Sequence, residues 1–189
     1  LPTRDMYIEN YIETIKNLSK AGIKVICYNF MPVFDWLRSD LAKKLEDGSE
    51  VLSYDNSIIS KVDPVKLVED MEEGSQGFSL PGWEPYRLKE LKDTLEKYKD
   101  VDEEKLFENL KYFLECIIPV CEEVDVKMAI HPDDPPWNLF DLPRIVKSKA
   151  NLERLVKLVD SPYNGLTLCT GSLGSNPDND IPDMIRYFG

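Results

Sequence analysis

Val126-Lys127-Met128-Ala129-Ile130-His131-Pro132-Asp133-Asp134-Pro135-Pro136-Trp137 runs from an apolar segment through a histidine into a stiff, acidic, proline-rich loop. The apolar part is short and bounded by turn formers, the pattern of a strand buried in a sheet. His131 is the single histidine of the chain. Its position predicts a polar side chain delivered to the edge of a core. A second run does the same: Gly165-Leu166-Thr167-Leu168 leads into Cys169 and then Thr170-Gly171-Ser172-Leu173-Gly174-Ser175. A third, Ile23 to Tyr28, ends at Asn29.

Helical periodicity separates these runs. Ile8, Tyr11, Ile12, Ile15 and Leu18 recur at helical spacing after Thr3, a candidate cap, with Gly22 as the stop. Leu106, Leu110, Phe113, Ile117, Cys121 and Val124 form one apolar stripe, which predicts a helix over about Asp102 to Glu123. Pro119 inside it should kink it or end it early. Helical pieces are expected from about Leu142 to Val159, stopped by Ser161-Pro162. A last helix is expected after Asp180, with Pro182 in its first turn, Ile185 and Phe188 on its buried face and Gly189 as its stop.

Residues 30–100 read as an insert after the first strand. Asp47-Gly48 predicts the turn of a small hairpin within Leu45 to Val51. A short helix is expected from Asp63-Pro64 to about Glu72, a loop from Gly74 to Pro85, and a charged helix from Leu88 to Tyr98.

Strands alternating with helices predict an α/β fold with a parallel sheet. Asn29, His131 and Cys169 all stand at C-terminal strand ends, where parallel α/β folds place their ligand sites. Three strands neither close a barrel nor make a good open sheet, because both outer strands would expose bare edges. The expectation is a single incomplete domain over 1–189: an internal piece of an α/β barrel, a fold of about 250 residues, with a mainly helical insert over 30–100.

Composition narrows the function. The chain has 189 residues, 42% apolar and 31% charged, which is globular. A net charge of −12 argues against nucleic acid and against an anionic membrane surface. No apolar stretch approaches the roughly 20 residues of a membrane span, and no leader is recognisable. The four cysteines form no CxxC motif and no dense framework, so free thiols in a reducing cytoplasm are expected. Cys27, Cys116 and Cys121 read as packing residues.

Adjacent parallel strands lie about 4.8 Å apart, so His131 and Cys169 could meet at one metal ion. The alternative is a hydrogen-bonded core histidine and an inert buried cysteine. Asp133 and Asp134 read either as carboxylates supporting a metal site or a general base, or as turn formers beside proline. The small residues Thr170 to Ser175 resemble an anion-cradling loop, though without the lysine of a P-loop, and Ser172 would face a sugar acid. In Met31-Pro32-Val33-Phe34-Asp35-Trp36-Leu37-Arg38, Arg38 could hold a carboxylate and Trp36 could cover a substrate. The alternative there is a loop anchored by aromatics, with a surface arginine.

Three runs together resemble the mannonate dehydratase family: Tyr28-Asn29-Phe30-Met31-Pro32-Val33-Phe34-Asp35-Trp36, then Met128-Ala129-Ile130-His131-Pro132-Asp133-Asp134-Pro135-Pro136, then Gly165-Leu166-Thr167-Leu168-Cys169-Thr170-Gly171-Ser172. They occur in the family's order. The resemblance implies a xylose-isomerase-like (β/α)8 TIM barrel and a divalent metal, Mn2+ or Fe2+, with His131 and Cys169 as ligands. It implies dehydration of D-mannonate to 2-keto-3-deoxy-D-gluconate in hexuronate breakdown, by a cytoplasmic lyase that is a homo-oligomer such as a dimer. Asn29, Trp36, Arg38 and Ser172 are the expected substrate contacts, and Asp133 and Asp134 the expected second layer around the metal. The family's remaining ligands and its acid/base groups are expected beyond Gly189. Two other readings stay open: a related metal-dependent barrel isomerase of sugars or uronates, and a truncated sugar-acid-binding chain without turnover.

Overall fold

The element order follows the alternation of periodicities along the chain. The computed structural model describes residues 2–61 and 93–189. Two compact units divide the chain: Leu1–Phe30 with Asp102–Trp137 and Pro143–Gly189, and Met31–Val101 with Asn138–Leu142.

In the first unit, helix α1 spans Pro2–Lys20 and strand β1 spans Val25–Tyr28. Thr3 therefore lies inside the first turn of α1 and is not its cap. The stop at Gly22 is a Schellman closure: Ile23 N–H donates to Leu18 C=O at 3.0 Å, Gly22 N–H donates to Ser19 C=O at 2.9 Å, and Gly22 has φ +84°.

The second unit holds β2, Asp40–Lys44, paired antiparallel with β3, Glu50–Ser53, and the short helix α2, Asn56–Ile59. Gly48 turns the hairpin at φ +85°, and Leu45 N–H donates to Ser49 C=O at 2.9 Å. Phe34 packs edge-on against Phe140 at 5.3 Å. Residues 93–98 are helical. The helix expected from Asp63 to Glu72, the loop from Gly74 to Pro85 and residues 88–92 lie outside the described residues.

The first unit resumes with helix α3, Glu103–Val124, then β4, Lys127–Ile130, helix α4, Lys149–Val156, β5, Asn164–Leu166, helix α5, Thr170–Gly174, and helix α6, Ile181–Phe188. β4 lies between β1 and β5, parallel to both. Its central place fits its composition, since Met128 and Ile130 are buried. The α/β fold with a parallel sheet is thus as expected.

Asp102 caps α3 by accepting from Lys105 N–H at 2.8 Å. Asp102→Ala is expected to cost about 1 kcal/mol of stability, the usual worth of such a cap; a denaturant midpoint equal to that of the parent would contradict it. The stripe of α3 buries Leu106, Leu110, Leu114, Ile117, Ile118 and Cys121. α1 packs on α3 through Tyr11 and Phe113, whose rings meet at 5.2 Å, and Ser19 Oγ donates to Val124 C=O at 2.7 Å.

Three expectations need correction. Pro119 does not end α3 early; the helix runs on to Val124 and closes at Asp125, which is left-handed at φ 54°. Proline leaves the Glu115 carbonyl without its usual donor, yet burial of Cys121 beyond it carries the helix through. Residues 142–148 are not helical, and only Lys149–Val156 is. Pro143 has no N–H to give, and the backbone around Val146 is engaged with Asp133 instead. In α6, Met184 is the buried residue while Ile185 is 46% exposed and Phe188 is half-buried, so the inward face is turned one residue from the expected one.

No helix among the described residues is long and apolar enough to cross a membrane.

Candidate metal centre at the strand ends

The register sets side chains in rows across the sheet. Cys27, Ala129 and Gly165 are paired neighbours, and Tyr28, Ile130 and Leu166 form the next row. Alternation then puts Cys27 and Tyr28 on opposite faces. Tyr28 faces the helices and meets the Phe113 ring at 6.0 Å. Burial pushes its hydroxyl far above the usual tyrosine range. Cys27 lies on the other face, where its Sγ is 3.2 Å from Thr167 Oγ1. Cys121 is fully buried, and burial raises its thiol to about 11.

Backbone pairing continues past the strand ends. His131 N–H donates to Tyr28 C=O at 2.7 Å, and Thr167 N–H donates to Ile130 C=O at 2.8 Å. Asn29, one residue beyond β1 and exposed, is thereby the register neighbour of His131. Thr167 Oγ1 donates to Ala129 C=O at 3.2 Å. Thr167 lies just past β5, and Cys169 N–H donates back to Thr167 C=O at 2.9 Å, a turn that alternation along the chain does not signal.

His131 is half-buried, and its Nδ1 lies 2.8 Å from the Pro132 carbonyl. A carbonyl oxygen only accepts, so Nδ1 carries the hydrogen. Nε2 is then the ring nitrogen left for the Cys169 thiol or for a ligand. Cys169 stands at the N-terminal boundary of α5. Burial alone would raise its thiol. Hydrogen bonds from the Ser172 hydroxyl and amide, the His131 ring and the Gly171 amide outweigh that and bring it down to about 7. The Ser172 hydroxyl is 3.5 Å from Cys169 Sγ, and Ser172 is 6% exposed. Residues 170–174 are therefore a helical turn wrapped on the thiol, not the open cradling loop expected from their small side chains.

The imidazole and the thiol lie within hydrogen-bonding reach of each other. This donor set suits a first-row divalent ion: a nitrogen with its tautomer set and a sulfur that ionises easily. It supplies two positions only. Among the described residues, no group of three or more His, Cys, Asp and Glu could hold an ion.

The aspartates after His131 differ. Asp133 is fully buried; Val146 N–H donates to its Oδ2 at 2.7 Å, and Arg144 Nη1 lies 3.7 Å from its Oδ1. Burial raises its carboxyl, against the opposing pull of Arg144 and of the Val146 and Ile145 amides. Asp134 is half-buried and precedes Pro135 through a cis peptide bond. Arg144 was missed in the sequence; its signal was one charged residue inside the apolar run Leu142-Pro143-Arg144-Ile145-Val146. Trp36 and Arg38 belong to the second unit. There the Arg38 guanidinium sits 5.1 Å over the Trp36 ring, and its Nη1 donates to Leu37 C=O at 2.8 Å.

Residues 1–189 match the model of the family described as D-mannonate dehydratase (UxuA). The chain belongs to the D-mannonate dehydratase family. Among curated members, mannonate dehydratase of Thermotoga neapolitana is 70% identical over 189 residues, covering 100% of this chain and 52% of that protein. That of Brachyspira hyodysenteriae is 64% identical over 186 residues, covering 98% and 52%. The crystal structure of mannonate dehydratase from Streptococcus suis serotype 2 superposes with a TM-score of 0.83 at 45% identity, over 98% of this chain and 47% of that one. The chain thus spans about half the length of the curated family members it matches. Its parallel sheet and helices are part of a TIM-barrel-like fold.

Proposed function

We propose that this protein dehydrates D-mannonate to 2-keto-3-deoxy-D-gluconate and water in hexuronate (glucuronate) catabolism, using one divalent cation, Mn2+ or Fe2+. The observation that carries the reading is the placement of His131 and Cys169 at the ends of neighbouring strands, with the imidazole's Nδ1 tied back to the Pro132 carbonyl. The names of the similar proteins supply the substrate. A bound cation of this kind supplies charge stabilisation as the C2 proton leaves. Loss of that proton and of the C3 hydroxyl yields an enol, which becomes the keto acid.

Within this chain, His131 and Cys169 would hold the ion. A histidine committed to metal cannot also move the proton. The acid, the base and the remaining ligands are therefore proposed to lie in the part of the relatives' length that these residues do not span. Asn29, beside His131 in register, is the proposed substrate contact of the first unit. Trp36 and Arg38 are the proposed contacts of the second, stacked as a pair able to cover a sugar and hold its carboxylate. Ser172, whose hydroxyl lies 3.5 Å from Cys169 Sγ, is a further proposed substrate contact, next to the metal. The four free cysteines suit a cytoplasmic protein, and a homo-oligomer is the proposed assembly.

The test is to strip the purified protein with chelator, restore Mn2+ or Fe2+ and analyse the product formed from D-mannonate. A keto acid lighter by one water is expected, with no turnover in chelator. A product of unchanged mass would replace this reading with an isomerase. Metal binding with no product would leave a sugar-acid-binding protein.

A further inference from the structure

We infer that Asp133 is a positioning residue for His131, acting through the peptide unit between Pro132 and Asp133. This rests on the metal reading above and deepens it. The Pro132 carbonyl that accepts from His131 Nδ1 at 2.8 Å belongs to the same planar amide as the Asp133 N–H. That N–H donates to Val146 C=O at 2.9 Å. Val146 N–H returns a bond to Asp133 Oδ2 at 2.7 Å and closes a ring. Holding one edge of a rigid plane sets the direction of the other, so the ring decides where the Pro132 oxygen points. That oxygen in turn decides the tautomer and the aim of the imidazole.

The surroundings make the ring stiff. Asp133, Arg144, Ile145 and Val146 are all fully buried. Asp133 Oδ1 faces the Arg144 guanidinium, also buried, at 3.7 Å. Water does not compete with bonds placed so deep, and chained hydrogen bonds strengthen one another. The same contacts explain why residues 142–148 stay non-helical: Val146 gives both its backbone groups to Asp133. Arg144 and Val146 thus support a ligand that they do not touch.

The experiment uses the protein as produced from its own gene, with Asp133→Ala, Asp133→Asn and His131→Ala variants. Mn2+ affinity is measured by competition with a chelating dye, and thermal unfolding is followed on the metal-free forms. Asp133→Ala is expected to weaken Mn2+ binding about 10- to 100-fold, the usual effect of removing a group that orients a metal-binding histidine. Asp133→Asn keeps an acceptor for Val146 N–H and should fall between Asp133→Ala and the parent. Parent-like Mn2+ affinity in the folded variants, with only a lower unfolding midpoint, would overturn the inference and leave Asp133 a core staple. If Asp133→Ala does not fold, the affinity of Asp133→Asn decides. If His131→Ala binds Mn2+ as well as the parent, the metal reading itself fails. The role of the Asp133–Val146 ring is then judged on the metal-free protein by the His131 nitrogen resonances. A protonated, hydrogen-bonded Nδ1 in the parent that is lost in the aspartate variants supports it, and unchanged resonances overturn it.

Discussion

His131→Ala is expected to abolish tight Mn2+ or Fe2+ binding and to cut turnover of D-mannonate by about three orders of magnitude, while leaving the fold intact. The size follows from the charge stabilisation that a bound cation provides, several kcal/mol, at roughly tenfold in rate per 1.4 kcal/mol. The fold should survive because His131 is only half-buried and its backbone carries the sheet pairing: its N–H reaches Tyr28 C=O at 2.7 Å whatever the side chain. Metal titration, product formation and an unfolding curve on the same preparation check it. Parent-like affinity and turnover would remove His131 from the site and with it the metal reading of this strand end.

The largest effect on stability is expected at the centre of α3. Leu114 is fully buried, between Leu110 and Ile117 on the stripe that faces the core. Leu114→Ala removes three carbons from a packed interior and should cost about 2–5 kcal/mol, depending on how far the neighbours close the space. That is several times the expected loss at Asp102, because a cap returns one hydrogen bond while the core residue loses both transfer energy and contacts. Denaturant unfolding of the two variants side by side measures the contrast. A loss below about 1 kcal/mol at Leu114 would mean that the site collapses around the missing atoms, since a well-packed core does not allow so small a value.

Electrostatic links add less. Arg154 meets Glu104 through two bonds of 2.6 Å, and Lys149 meets Asp183 at 2.7 Å, tying α4 to α3 and to α6. These pairs are largely exposed to water, which screens them, so they set alignment more than stability. Arg154 also lies 3.9 Å over the Phe107 ring, which extends the cover of α3 by a side chain that is itself charged.

Much of the candidate site could be read before any coordinates. A run of apolar residues closed by His131 says where a strand ends, and the matching run closed by Cys169 says that another ends beside it. Both statements depend on local periodicity; β4 does end just before His131, whereas β5 ends at Leu166, three residues short of Cys169. The part that stayed hidden is long-range. Asp133 beside two prolines looks the same in a sequence whether it forms a turn, binds a metal or clamps Val146. Ser172 looks the same whether its hydroxyl meets a sugar or the Cys169 thiol. Such choices depend on which distant atoms arrive nearby, and spacing along the chain does not carry that information.

What the amino-acid order determined by itself was the alternation of strand and helix, the Asp180 cap, the Gly22 and Gly48 turns, and the delivery of an imidazole to a strand end. Each follows from backbone preferences within a few residues. Only the tertiary structure decided that α3 runs through Pro119, that residues 142–148 stay non-helical, that 170–174 coil onto Cys169, and that α6 turns Met184 inward and leaves Ile185 out. In each of these cases local preference was weak or opposed. Burial of side chains such as Cys121 and Met184, and hydrogen bonds to partners far along the chain such as Asp133 with Val146, outweighed it.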